Sequence, residues 1–251
     1  MSHLFSAALV CVALAAPLCA QQTADAVAPE AATAPAEVQV PEALRPAQAA
    51  KDAGDPVEGR EWMIAAAHPL AVEAGAEVLD AGGSAADAMV AAQAVLGLVE
   101  PQSSGLGGGA FLLWYDAGTG EVTTLDGRET APLAATPTLF QDVGGETLGF
   151  FDAVVGGLSV GTPGTPALME EAHRRWGRTP WPALLAPAIR LAEEGFPVSP
   201  RLAGLVARDA ERPGRFPATA AYFLPGDDPL RAGETLKNPA YAETLRTLAG
   251  E

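Results

Sequence analysis

Between Ser84 and Pro101 lies a run with no polar face: Met89, Val90, Ala91, Ala92, Ala94, Val95 and Leu96 fall on nearly every side of a helix. A helix of that kind is stable only when other elements cover it all round. The run therefore predicts a central, buried helix through about Val99, with the rest of the domain built around it. Ser84 and Asp87 stand at its start in a capping-box spacing, and Pro101 ends it.

The flanking segments read as its cover. Pro69 suits a first helical turn, Leu70, Ala74 and Val78 recur at helical spacing, and Gly82-Gly83 form a stop. Downstream, the loop Ser103-Ser104-Gly105-Leu106-Gly107-Gly108-Gly109 leads into Ala110 to Tyr115, which has strand composition. Ala117-Gly118-Thr119-Gly120 reads as a hairpin turn and Glu121 to Leu125 as the returning strand. Ala153 to Val160 is expected to be another strand. Helices are expected from near Pro166, Pro180, Pro200 and Asn238-Pro239, the last running to Leu248. Helices around an antiparallel hairpin predict an α+β fold.

The amino-terminal part has a different character. Met1 to Ala20 contains no Asp, Glu, Lys or Arg, and Ala7 to Leu18 is a short apolar run. This predicts a secretory signal peptide cut after Ala20, and hence a periplasmic or secreted protein. The run is too short for a stable membrane span. Acylation at Cys19 is the weaker alternative, because Pro17 and Leu18 are bulky. Cys11 and Cys19 are the only cysteines, so the mature chain is expected to lack disulfides and thiol ligands. Residues 21–57 are rich in Ala, Pro, Glu and Gln without an aromatic residue, and are expected to form a disordered linker. Residues 58–251 are left as a single folded domain.

With 31 acidic and 15 basic side chains, a net charge of −16 excludes a nucleic-acid partner on electrostatic grounds. The glycine loop runs from helix to strand and no Lys follows it, the reverse of a phosphate-binding loop, so it reads as a tight connection. Ser103 and Ser104 lack an evident base. His173 sits beside Arg174 and Arg175 on an expected surface, and His68 precedes Pro69, where a local backbone contact is expected. There is no His/Cys cluster, Asp227-Asp228 reads as a turn, and no metal or cofactor is expected. Arg128 stands apart as the one Lys or Arg between Glu61 and His173. It either closes an internal ion pair with Asp126 or Glu129, or offers a guanidinium fork to a substrate carboxylate.

Five stretches carry a family resemblance. They are Ala74-Gly75-Ala76-Glu77-Val78-Leu79-Asp80-Ala81-Gly82-Gly83-Ser84-Ala85-Ala86-Asp87-Ala88, Pro101 to Phe111, Asp126-Gly127-Arg128-Glu129-Thr130-Ala131-Pro132, Gly161-Thr162-Pro163-Gly164-Thr165-Pro166 and Pro187 to Phe196. In this order they resemble the N-terminal large-subunit part of the γ-glutamyltransferases, or glutathione hydrolases. The resemblance implies an Ntn-hydrolase αββα sandwich, made as one precursor and cut autocatalytically into two subunits. It implies a threonine nucleophile at the new amino terminus of the small subunit, with its α-amine assisting as base. Such an enzyme takes γ-glutamyl compounds such as glutathione and passes the acyl group to water or an amino acid.

In that scheme Arg128 binds the α-carboxylate of the γ-glutamyl group and Glu129 orients it. No stretch resembles the processing site, so the chain is expected to be an incomplete front portion, lacking its C-terminal small subunit and inactive alone. A related Ntn acylase with another substrate and a non-catalytic secreted binding protein are the alternatives.

Overall fold

The computed structural model describes residues 38–250. The expected signal peptide and residues 21–37 of the expected linker lie outside the described residues. The rest of that linker differs from expectation: Glu42–Leu44 form a 3-10 turn and Arg45–Ala53 a helix, α1. Pro46 occupies its first turn and Gly54, at φ 78°, closes it, while none of its residues is buried. Composition correctly denies this segment a core, but local start and stop signals suffice for a helix.

The domain is built on two helices, α2 (Pro69–Asp80) and α3 (Ala85–Val99). Ser84 accepts the Asp87 amide at 3.1 Å while Asp87 accepts the Ser84 amide at 2.9 Å, completing the expected capping box. Ala86, Val90, Ala91, Ala94, Val95, Leu98 and Val99 of α3 are all buried, as the unbroken apolar pattern demands. Small side chains let neighbours come close. Tyr241 lies over Gly97, where a Cβ would sit 2.4 Å from the Tyr241 hydroxyl, and that hydroxyl donates to the Ala94 carbonyl at 2.8 Å.

After α3 come the strands β1 (Ala110–Asp116) and β2 (Glu121–Gly127), paired antiparallel from Ala110 opposite Gly127 to Asp116 opposite Glu121. Their inner face is anchored by Trp114, which stacks on Trp176 at 4.6 Å between ring centroids. Their outer face leaves Phe111, Leu113, Tyr115 and Val122 exposed. The expected strand at 153–160 is absent. Phe150–Val154 form a short helix, α4, followed by a 3-10 turn at Gly157–Ser159. Gly156, at φ 114°, breaks the extended path between them, and a strand without a paired neighbour leaves its backbone groups unsatisfied.

Helices α5 (Thr165–Trp176), α6 (Trp181–Glu194), α7 (Pro200–Arg208), α8 (Glu211–Gly214), α9 (Pro217–Phe223) and α10 (Pro239–Ala249) complete the domain. The α5 and α6 helices cover α3, and α10 packs on α6. A two-residue ladder joins β3 (Phe196–Pro197) to β4 (Thr235–Leu236), too short to announce itself by alternation. The class is α+β, as expected, with two-stranded sheets among the described residues.

Candidate functional site

Three segments far apart in sequence meet at the end of β2. Gly127 closes the strand, and Thr130 then pairs with Thr162: the Thr162 amide donates to the Thr130 carbonyl at 2.8 Å. The amides of Gly164 and Thr165 both donate to the Gly108 carbonyl at 3.1 Å, tying the start of α5 to the glycine loop. The backbones touch so closely that side chains are excluded. A Cβ on Gly164 would lie 2.1 Å from the Gly127 carbonyl oxygen.

Arg128 and Glu129 sit at this junction. The Arg128 amide donates to the Asp126 carboxylate at 2.9 Å, so Asp126 shapes the turn and leaves the guanidinium to others. One guanidinium nitrogen lies 3.3 Å from Glu129 Oε2, with the Arg128 side chain 67% exposed and Glu129 28%. Of the two sequence readings of Arg128, the ion pair is present in the structure. Arg128 is ion-paired with Glu129, and it is one of the residues lining an open cavity of about 300 Å³, with Leu139, Phe140, Ser159 and Val160. Glu129 Oε2 is itself buried and accepts no hydrogen bond. A half-open guanidinium against an apolar wall suits a carboxylate on a short carbon chain.

Beyond Glu129 is a second cavity, of about 550 Å³, lined by Gln93, Ser103, Ser104, Gly105, Gly107 and Thr165. Both serines are engaged. Gln93 Nε2 donates to Ser104 Oγ at 2.7 Å, and both terminal nitrogens of Arg201 approach Ser103 Oγ at 3.2 Å. Arg201 is paired in turn with Glu100, whose side chain is 2% exposed.

Among the described residues, neither His68 nor His173 is hydrogen-bonded to those serines. His68 caps α2, its Nδ1 accepting the Leu70 amide at 3.2 Å, and burial pushes its pKa down to about 4. His173 lies on a different contact from the surface position expected: Nε2 bonds the Thr179 carbonyl at 2.8 Å, and the side chain is 23% exposed. Asp227 and Asp228 lie in and after a 3-10 turn, and among the described residues no group of three or more His, Cys, Asp or Glu could hold a metal.

Sequence reasoning missed Gln93 and the Glu100–Arg201 pair. Glu100 carried a signal, as the lone acid closing a long apolar run. Arg201 carried none.

The family description Gamma-glutamyltranspeptidase matches residues 71–251. The chain belongs to the gamma-glutamyltranspeptidase family. Among its members, the glutathione hydrolase proenzyme of Bacillus subtilis is 43% identical over 190 residues, covering 76% of this chain and 32% of that protein. An acylase ACY 1 proenzyme of a Pseudomonas species is 37% identical over 201 residues, covering 78% of this chain and 36% of that protein. The solved gamma-glutamyltranspeptidase of Helicobacter pylori superposes with a TM-score of 0.74 at 34% identity, covering 78% of this chain and 56% of that one.

The chain thus spans about a third of the length of these curated relatives, and its fold is part of their Ntn-hydrolase arrangement. Within the matched region fall all the residues of the Arg128 junction.

Proposed function

We propose that this chain is the large-subunit part of a γ-glutamyltransferase or glutathione hydrolase, in which Arg128 receives the α-carboxylate of the γ-glutamyl group. The observation that carries the reading is the exposed side chain of Arg128, paired with Glu129 and lining an open cavity. A charge-assisted, two-pronged contact is what an arginine offers a carboxylate. The amide is broken by a threonine nucleophile on a small subunit that lies outside this chain, so the chain alone is inactive. The exposed apolar face of Phe111, Leu113, Tyr115 and Val122 supports a partner of that kind. Export across the inner membrane, carried by Met1 to Ala20, belongs to the same proposal.

Likeness to the ACY 1 acylase favours a second reading, in which the same anion site serves an acylase acting on another carboxylated amide. The test is product release from a γ-glutamyl anilide. The chain by itself is expected to give none, and turnover abolished by Arg128→Ala would overturn its inactivity. Joined to a downstream portion that restores turnover, a preference for glutaryl over γ-glutamyl anilide selects the acylase.

A further inference from the structure

The chain departs from the domain at Thr130 and returns at Thr162, and these two residues are paired. The Thr162 amide donates to the Thr130 carbonyl at 2.8 Å and the Thr130 amide to the Thr162 carbonyl at 3.4 Å. Residues 131–161 are thus one excursion closed at its base. None of them is buried. Among the described residues, their hydrogen bonds all stay inside the excursion. The Leu148 amide donates to the Phe140 carbonyl at 2.9 Å, the Asp142 carboxylate accepts the amides of Gly144 and Glu146, and Ser159 Oγ donates to the Val154 carbonyl at 2.8 Å. A segment bonded within itself, with nothing buried in the core, opens at low cost and moves as one body.

Beyond its base the excursion rests on α8 and the residues after it. The Arg212 guanidinium lies 4.8 Å from the centroid of the Phe151 ring, a cation–π contact, and Arg212 Nε donates to Asp209 at 2.6 Å, which fixes its direction. Gly156 comes beside Phe216, whose ring edge would lie 3.7 Å from a Cβ at that position.

The same excursion walls the cavity at Arg128. Leu139, Phe140, Leu158 and Val160 line it from the excursion, while the end of β2 contributes Arg128, Glu129 and Thr130. The charges therefore sit on the fixed frame, and the apolar surface is carried by the part that is free to move.

We propose that residues 131–161 are a flap, turning on the Thr130–Thr162 pair and latched by Arg212 on Phe151, that selects the carboxylates reaching Arg128. Its wall favours a carboxylate with a carbon chain behind it over a small, fully hydrated one. This rests on the reading of Arg128 as the anion site. Phe140 is the main selecting residue, because it is the largest apolar side chain of that wall. It is 40% exposed, so its truncation leaves the core intact.

The experiment is amide relaxation dispersion and NMR titration of the 251-residue chain, with acetate and hexanoate as probes. The amides of Leu148, Ala153 and Val155, spread along the flap, are expected to share one exchange rate between microseconds and milliseconds, and Arg212→Ala to change it at all of them together. Hexanoate is expected to bind roughly 10-fold more tightly than acetate, and Phe140→Ala to reduce that ratio to about 3 or less. Unrelated rates, or no exchange, overturn the flap, and so does a ratio that Phe140→Ala leaves unmoved. Arg128→Gln separates this failure from that of the anion site. Equal binding of both probes that is lost in Arg128→Gln keeps the anion site and rejects selection by the flap. Binding that survives Arg128→Gln, or no binding of either probe, rejects the anion site and the selection with it.

Discussion

Gly109 and Glu129 share a space that only one side chain can fill. A Cβ on Gly109 would lie 2.5 Å from Glu129 Oε2 and 2.8 Å from the Glu129 amide nitrogen. The glycine loop therefore sets where the Glu129 carboxylate rests, and that carboxylate touches the Arg128 guanidinium. Gly109→Ala is expected to displace Glu129 and cost about 1–3 kcal/mol by denaturant titration, in the range of an overpacked site. In an active, full-length form the same change raises KM for a γ-glutamyl anilide more than it lowers kcat. An unchanged KM would show that Glu129 does not steady the anion site.

Arg128→Lys keeps the charge and loses the fork. Because the side chain is 67% exposed, thermal stability is expected to stay within about 0.5 kcal/mol of the parent. In a full-length active form, kcat/KM for a γ-glutamyl substrate should fall roughly 30-fold or more, about 2 kcal/mol, as a two-pronged contact becomes a point contact. Steady-state kinetics on the two proteins decides it.

Asp87 is completely buried, and one of its oxygens accepts the amides of Ser84, Arg178 and Thr179 at 2.9, 2.9 and 3.1 Å. Burial is the largest single influence and pushes its pKa up. The donors together outweigh it and hold the pKa below the ordinary 3.8. The stabilisation is therefore present above pH 3.8 and disappears as pH falls through the lower folded value. Asp87→Ala removes a cap and two links to the α5–α6 connection, and is expected to cost about 3 kcal/mol in urea unfolding. Amide exchange at Arg178 and Thr179 should accelerate with it.

His68 gives an opposite charge type and the same direction. Its folded pKa, about 4, lies below the ordinary 6.5, so between these values the unfolded chain binds the proton first. Stability is fully present above pH 6.5 and declines as pH falls toward 4, by up to roughly 3 kcal/mol. His68→Asn keeps an acceptor at the helix start and should flatten the pH dependence of Tm across that window. A slope left intact in the variant would assign it elsewhere.

Local features were legible because their causes are local. The caps at His68 and Ser84, the apolar circumference of α3 and the turn at 117–120 depend on residues within one or two turns of one another. The isolation of Arg128 was likewise visible as a single cation in a long stretch of sequence. Segment 153–160 misled because apolar composition makes a strand only where a neighbour can pair with it, and none among the described residues does.

The sequence by itself determined the central helix, the hairpin and the residue to watch. Only the tertiary structure decided that Gly108 would meet Thr165, that Glu129 would press on Gly109 and leave the Arg128 fork half free, and that Asp87 would reach Arg178. Those contacts join residues tens of positions apart. They arise from the packing of α3, α5 and the hairpin as solid bodies, which no short window of sequence specifies.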